Sequence, residues 1–486
     1  MHAIINGRIV LNDKILDGSV LLFDTKIIGI VSRETLDTVW KNEKKWEGKP
    51  LTLTDVHGAY VSPGFINLHI HGCAGVDTMD AKEDTLETMC RFLVQTGVTA
   101  FLPTTMTCEK TKVYKTLERI RDSMTVITRR RDEKYKMLLS AGSHKEEGVK
   151  NNNSDRTLPE YVDTDRSSLS VDEAEDESRL VQGAKVLGAY LEGPFISNAY
   201  KGAQKEDFIE SADFTFIKEF ADTIKVVVLA PETLMKKLPP HSDKVSAVAV
   251  QKQETTEPFF QEDLLAETHD TDRFVLVKNF IEQCSAHKMI VSLGHSAADY
   301  DTALKAVEAG ASHVTHLCNA MTGLHHRTPG LMGAALDSSV ICELIADNLH
   351  VHPAVQRLIY RSKGAAGIEL ITDSMRACGL SDGVSELGGQ TVYVKNGQAR
   401  LADGTIAGSV VTLNHAMANF RKNTGATVPE VVRMVTENQA QELGLFEKIG
   451  SLSPGAAADI TVFNDDFTIL HTFVNGRKVY KNPDFQ

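Results

Sequence analysis

The sequence predicts an α/β fold, a (β/α)8 TIM barrel carrying a small β-sandwich built from both chain ends, and three observations lead to it. Between about residues 61 and 385, short apolar runs alternate with longer helical patterns, the signature of repeated βα units on a parallel sheet. The runs number eight, the count that closes a barrel. The flanks read instead as short alternating hairpin pieces, with Asn-Gly, Asp-Gly and Asn-Asp turns toward the C-terminus.

In chain order, residues 1–60 supply the first part of the sandwich through HAIINGRIV and GSVLLFDTKIIGIV. The barrel is expected over 61–388, with strands at Gly64–His71, Ala100–Thr105, Val186–Glu192, Lys225–Ala230, Met289–His295, His313–Asn319, Val340–Asp347 and Ile368–Asp373. Two polar stretches, about 145–180 and 236–272, are expected as disordered insertions. The first is acid-rich and short of apolar anchors, so burial there cannot offset the entropy of ordering; Phe259, Phe260 and Leu264 offer the second a partial anchor. Residues 389–486 complete the sandwich, and helices from about Leu413 to Lys422 and Pro429 to Leu445 return the chain from the barrel.

Composition narrows the function. A chain of 486 residues, 42% hydrophobic and 24% charged, can bury a large core. A formal net charge of -13 argues against a nucleic-acid partner, which needs a basic footprint. The N-terminus has no signal-peptide pattern, and no window of about 18 apolar residues suits a membrane span, so a cytoplasmic location is expected. Seven scattered cysteines without CxxC spacing point to reduced thiols.

Polar residues at the strand ends carry the chemistry. His71, Glu192, His295, His316, Asp347 and Asp373 all stand where an apolar run meets its loop, the end at which barrels of this kind gather their reactive groups. Any one of them alone reads as a solvated loop-end acid or a satisfied core histidine. Together, Glu192 in GAYLEGP, His295 in VSLGHSAADY and His316 in HVTHLCNAM offer two imidazoles and a carboxylate, the open donor set of a zinc or iron site. Asp373 in ELITDSM is placed to carry a proton from water to a departing amine; the alternative is an acid that orients a histidine ligand. His350 in IADNLHVHP can hydrogen-bond a carbonyl oxygen or a sugar hydroxyl. His69 and His71 share one strand face, and so either reach a second ion or line the mouth. Arg327 in NAMTGLHHRTPG offers a planar fork to phosphate, although an HHR stretch is equally an ordinary solvated loop.

PGFINLHIHG, LEGPFIS with KGAQ, LGHSAADY, THLCNAM with HHRTPG, IADNLHVHP, LITDSM and PGAAADITVF together resemble the N-acetylglucosamine-6-phosphate deacetylases of the amidohydrolase superfamily. The resemblance spans most of the chain outside the two polar stretches. It implies Glu192, His295 and His316 as ligands to one divalent metal ion (zinc, iron or similar), with a second ion possible at His69 and His71. Asp373 is then the catalytic acid/base, and His350 binds near the acetamide. The resemblance also implies that the sugar phosphate is held by the backbone of Asn319 and Ala320, by Arg327, near Ala203, and by Ile406, Ala407 and Gly408. A homodimer is implied too, with Arg327 acting within one subunit or across the interface. One departure stands out: Gln204 occupies a position where the family usually has His, and an amide there donates a hydrogen bond but carries no charge. Relatives that open cyclic ureides place a lysine at a strand end. Here Lys225, which begins its run, is the nearest equivalent. Two other readings are another amidohydrolase that does not use the sugar phosphate and a scaffold protein without activity.

Overall fold

The computed structural model describes residues 1–42, 45, 46, 48–82, 84–124, 183–235 and 261–485. The stretch 145–180 lies outside these, as does 236–260. Residues 261–272, expected as part of a disordered insertion, instead open a helix, Gln261–Ala286. Its second half buries Val277, Phe280, Ile281 and Cys284, a stripe at i, i+3, i+4 and i+7. Once that stripe is packed, each further residue joins the helix without repeating the cost of nucleation, so the helix runs back into polar sequence.

The barrel strands are β1 (Phe65–Ile70), β2 (Val98–Pro103), β3 (Ala189–Leu191), β4 (Ile224–Leu229), β5 (Ile290–Leu293), β6 (His313–Val314), β7 (Ile341–Ile345) and β8 (Ile368–Ile371). β3 through β8 form one parallel sheet in sequence order. β1 pairs with β2, and β2 pairs with the short strand Lys185–Val186 just before β3. Bridges at Thr104↔Tyr190 and Ile70↔Ser374 join the two sheets at both seams and close the ring. The strands are buried along nearly their whole length, which is why they read as unbroken apolar runs rather than as alternation.

The chain ends fold together. A six-stranded sheet runs Arg477–Lys481, Ile469–Val474, Ile460–Phe463, Tyr60–Pro63, Arg8–Val10 and Ile15–Leu16, so strands from both termini are neighbours. Val61 faces Val462 in antiparallel register. A four-stranded sheet of Ile27–Ser32, Ser19–Phe23, His2–Ile5 and Thr52–Asp55 lies with it, and Ile4, Leu21, Phe23, Val61, Ile460 and Phe473 share one core. Lys185 anchors the barrel to this unit. Its ammonium contacts both Asp459 oxygens at 2.8 and 2.7 Å in buried surroundings, and the part-buried Asn475 Oδ1 at 2.7 Å.

Residues 390–400, expected within the sandwich, belong to a separate sheet of Gly383–Leu387, Gln390–Lys395 and Gln398–Arg400. Its apolar side chains Leu387, Val392, Val394 and Ala399 pack on Met79, Met106 and Met375 beside the barrel. The hairpin pattern was legible, but alternation alone does not say which core a sheet covers. Among the described residues no helix is long and apolar enough to cross a membrane.

Candidate active site

Glu192 follows directly on β3, His295 lies two residues beyond β5, and His316 two beyond β6. The β5 and β6 tips meet because Gly294 has no side chain: a Cβ there would come within 2.7 Å of the Thr315 Cβ. His295, His316 and Asp373 adopt left-handed backbone, at φ 46°, 29° and 46°. Such conformations cost of order 1–3 kcal/mol each for ordinary residues and persist where the surroundings over-determine them. At each tip the turn aims the side chain inward rather than along the strand.

The three side chains converge. Glu192 Oε1 lies 3.1 Å from His295 Nε2 and 3.0 Å from His316 Nε2, and the two Nε2 atoms are 3.1 Å apart. His295 Nδ1 is 2.8 Å from the Tyr200 carbonyl oxygen, which can only accept; Nδ1 therefore carries the proton, and a neutral ring presents its Nε2 lone pair to the centre. Lone pairs crowding a carboxylate oxygen repel one another unless a cation or proton sits among them. The donor set, its mutual spacing within 4.8 Å and its burial all fit a divalent ion with ligands at roughly 2.0–2.2 Å.

His69 and His71 stand on the other side of the same carboxylate. His71 Nε2 is 3.1 Å from Glu192 Oε2 and 3.2 Å from Asp373 Oδ1, while His69 Nε2 is 3.5 Å from each acid. A second donor group, His69, His71 and Glu192, meets the same spacing. Burial would lower the His71 pKa, but the hydrogen bonds and charge of Asp373 and Glu192 outweigh it and hold the ring well above 6.5. Burial likewise opposes ionisation of Glu192, yet positive charge at the His295 and His316 Nε2 atoms, where an ion would sit, holds it well below the usual carboxylate range. The pocket thus selects positive charge. Asp373 is the most open of the group, its side chain 12% exposed against 3% for Glu192, so it faces the entrance.

Residues 60–479 match the model of the amidohydrolase family. The chain belongs to the amidohydrolase family. It is 33% identical over 419 residues, 85% of this chain and 83% of the relative, to an N-acetylglucosamine-6-phosphate deacetylase of Bacillus subtilis (strain 168). An N-acetylgalactosamine-6-phosphate deacetylase of Escherichia coli O157:H7 is 29% identical, with 88% of this chain and 90% of the relative covered. Among solved structures, N-acetylglucosamine-6-phosphate deacetylase from Pasteurella multocida superposes with a TM-score of 0.72 at 26% identity, covering 99% of this chain and all of that one.

Around the amidohydrolase centre, the other expected residues divide. His350 Nδ1 lies 2.6 Å from Asp347 Oδ2, and the ring borders a cleft with Ile406 and Gly408. The adjacent Ala407 is fully buried and tied by its N–H to the Ala399 carbonyl. Ala203 accepts a 2.6 Å hydrogen bond from Gln390 Nε2, which joins the KGAQ segment to the separate sheet. Asn319 turns inward instead: its N–H and its Nδ2 both donate to the His316 carbonyl. Ala320, at φ 49°, has an N–H with no protein acceptor among the described residues. Arg327 is exposed on the 323–328 loop, and no ion pair engages its guanidinium among the described residues.

Two residues beyond that set belong to the centre. Gln204, buried, donates from Nε2 to Glu192 Oε2 at 2.7 Å and accepts the Thr107 N–H at 2.7 Å. Glu343, mid-strand in β7, reaches His69 Nδ1 at 2.9 Å and the His316 N–H at 3.0 Å. The signal for Glu343 was an acid within an otherwise apolar barrel strand, a residue type almost never buried without a partner.

Proposed function

We propose that this chain is a metal-dependent hydrolase that deacetylates N-acetyl-D-glucosamine 6-phosphate to D-glucosamine 6-phosphate and acetate, in amino-sugar catabolism. The observation that carries the reading is the meeting of Glu192, His295 and His316 beside Asp373, in a chain 33% identical to a deacetylase of that name. A single divalent ion held by those three supplies Lewis acidity for the amide carbonyl and for water. His69 and His71 line the pocket, with a second ion as the alternative.

Asp373 takes a proton from the attacking water at its carboxylate and returns it to the sugar nitrogen as the C–N bond breaks. Asp347 holds His350 by its Nδ1–H, which leaves Nε2 to accept from a sugar hydroxyl or, on a protonated ring, to donate to the acetyl carbonyl. Ala203, the backbone of Asn319 and Ala320, and the segment Ile406, Ala407 and Gly408 frame the sugar phosphate. The Ala320 N–H and Arg327 are the donors left to meet phosphate oxygens. The chain acts as a cytoplasmic homodimer in this reading, its barrel flanked by the sandwich from both chain ends, with the separate sheet of residues 383–400 bordering the cleft.

Acetate release should be measured on the N-acetylated sugar with and without its 6-phosphate, and on the galactosamine epimer. Strong preference for the phosphorylated glucosamine sugar is expected. Equal rates with and without phosphate would defeat the substrate assignment, and preference for the epimer would redirect it to the galactosamine series.

A further inference from the structure

We propose that the floor of the barrel, at the opposite end of the strands from the candidate active site, holds a cation site of its own formed by His313, Glu369 and Glu442. His313 opens β6, Glu369 is the second residue of β8, and Glu442 ends the helix Glu437–Glu442, which packs against β1 and β8. One ligand atom from each lies within 4.8 Å of the others. Two ligands on one ion, each at roughly 2.0–2.6 Å, stand at most about 4.0–5.2 Å apart, and the spacing of this group falls within the upper end of that range.

The carboxyl groups gathered around this point call for a further cation or a proton. Glu343 and Glu369 are register partners on β7 and β8, and like charges directly opposite each other destabilise a sheet. Glu343 uses Oε2 on His69 and the His316 N–H, while its Oε1 lies 3.2 Å from His313 Nε2. His313 Nδ1 is 2.9 Å from Glu442. Glu343 and Glu442 therefore share the His313 imidazole, and Glu369 is left without one. Glu369 is completely buried, and neither of its oxygens has a hydrogen-bond partner among the described residues. A bare carboxylate sealed in a barrel is among the costliest groups a fold can carry, and coordination to an ion removes that cost. One imidazole with two carboxylates suits zinc, iron or manganese. Glu442 alone of the three keeps partial exposure, so an ion enters past it.

Full-length protein stripped with a chelator and reloaded with Zn²⁺ tests this by ion counting. Wild type should take up one ion per chain more than Glu369→Leu, and His295→Ala, which cripples the mouth, should retain the floor ion and a zinc-dependent rise in thermal midpoint. Equal uptake by wild type and folded Glu369→Leu overturns the proposal. If that variant does not fold, Glu442→Gln serves the same comparison. Zinc-edge anomalous diffraction on loaded wild-type crystals should show a peak enclosed by the three side chains; a peak at the mouth with none at the floor contradicts it. So does an infrared band of protonated carboxylic acid in loaded wild type that disappears in Glu369→Gln, because Glu369 would then be neutralised by a proton.

Discussion

Asp373 contacts His71 but belongs to neither imidazole-bearing strand that completes the ligand trio, so its loss should separate binding from turnover. Asp373→Asn keeps a polar side chain of the same shape and removes the proton carrier. It is expected to hold its ion by elemental analysis while turnover falls by roughly 10²-fold or more, the usual share of a general base. A variant retaining more than about a tenth of wild-type rate would assign the proton transfer elsewhere. Gln204 acts through another residue: by donating to Glu192 Oε2 and accepting from Thr107, it fixes the rotation of the ligand carboxylate. Gln204→Ala should weaken ion affinity by roughly 10- to 100-fold, the range for groups that orient metal ligands. Competition with a chromophoric chelator reads this directly, and unchanged affinity would reduce Gln204 to packing.

At the scale of elements, the pieces that the sequence specified best are those with a period and a tip. The eight barrel runs could be placed because strands buried on both faces leave continuous apolar stretches, and Glu192, His295 and His316 could be singled out because each breaks such a stretch at its end. Gln204 and Glu343 were harder to assign. Their roles depend on which strand or loop lies across from them, 12 residues away for Gln204 and Glu192 but 274 for Glu343 and His69, and no local pattern encodes that. The sheet of Gly383–Leu387, Gln390–Lys395 and Gln398–Arg400 is hard to place for the same reason, because alternation does not name the core that a sheet covers. The join between barrel and sandwich makes a prediction at this scale: Asp459→Ala strands the Lys185 ammonium in buried surroundings and should cost about 3–5 kcal/mol of unfolding free energy, as broken buried ion pairs do. Replacing both residues with apolar ones should recover much of it, and a single variant as stable as wild type would show that water reaches Lys185.

For the whole molecule, pH should act partly through the sandwich. Burial, helped by Lys478 and Lys481, pushes His471 down from 6.5 to about 4. Between those values the unfolded chain takes up a proton that the folded chain refuses, so this contribution to stability is complete above 6.5, declines as pH falls toward about 4, and then levels off. His471→Gln should therefore show a shallower loss of stability across that window in denaturant titrations; parallel curves for the two proteins would rule the group out. The architecture as a whole, with both termini folded into one unit and the strand ends left open, leaves the barrel mouth as the place where chemistry gathers. The most direct measurement is acetate release from N-acetylglucosamine 6-phosphate by chelator-stripped protein as a divalent ion is restored, beside His316→Ala treated identically. Turnover should vanish on stripping and climb with the first equivalent of ion in wild type while His316→Ala stays silent; undiminished turnover by the stripped protein, or full recovery by the variant, would contradict the account.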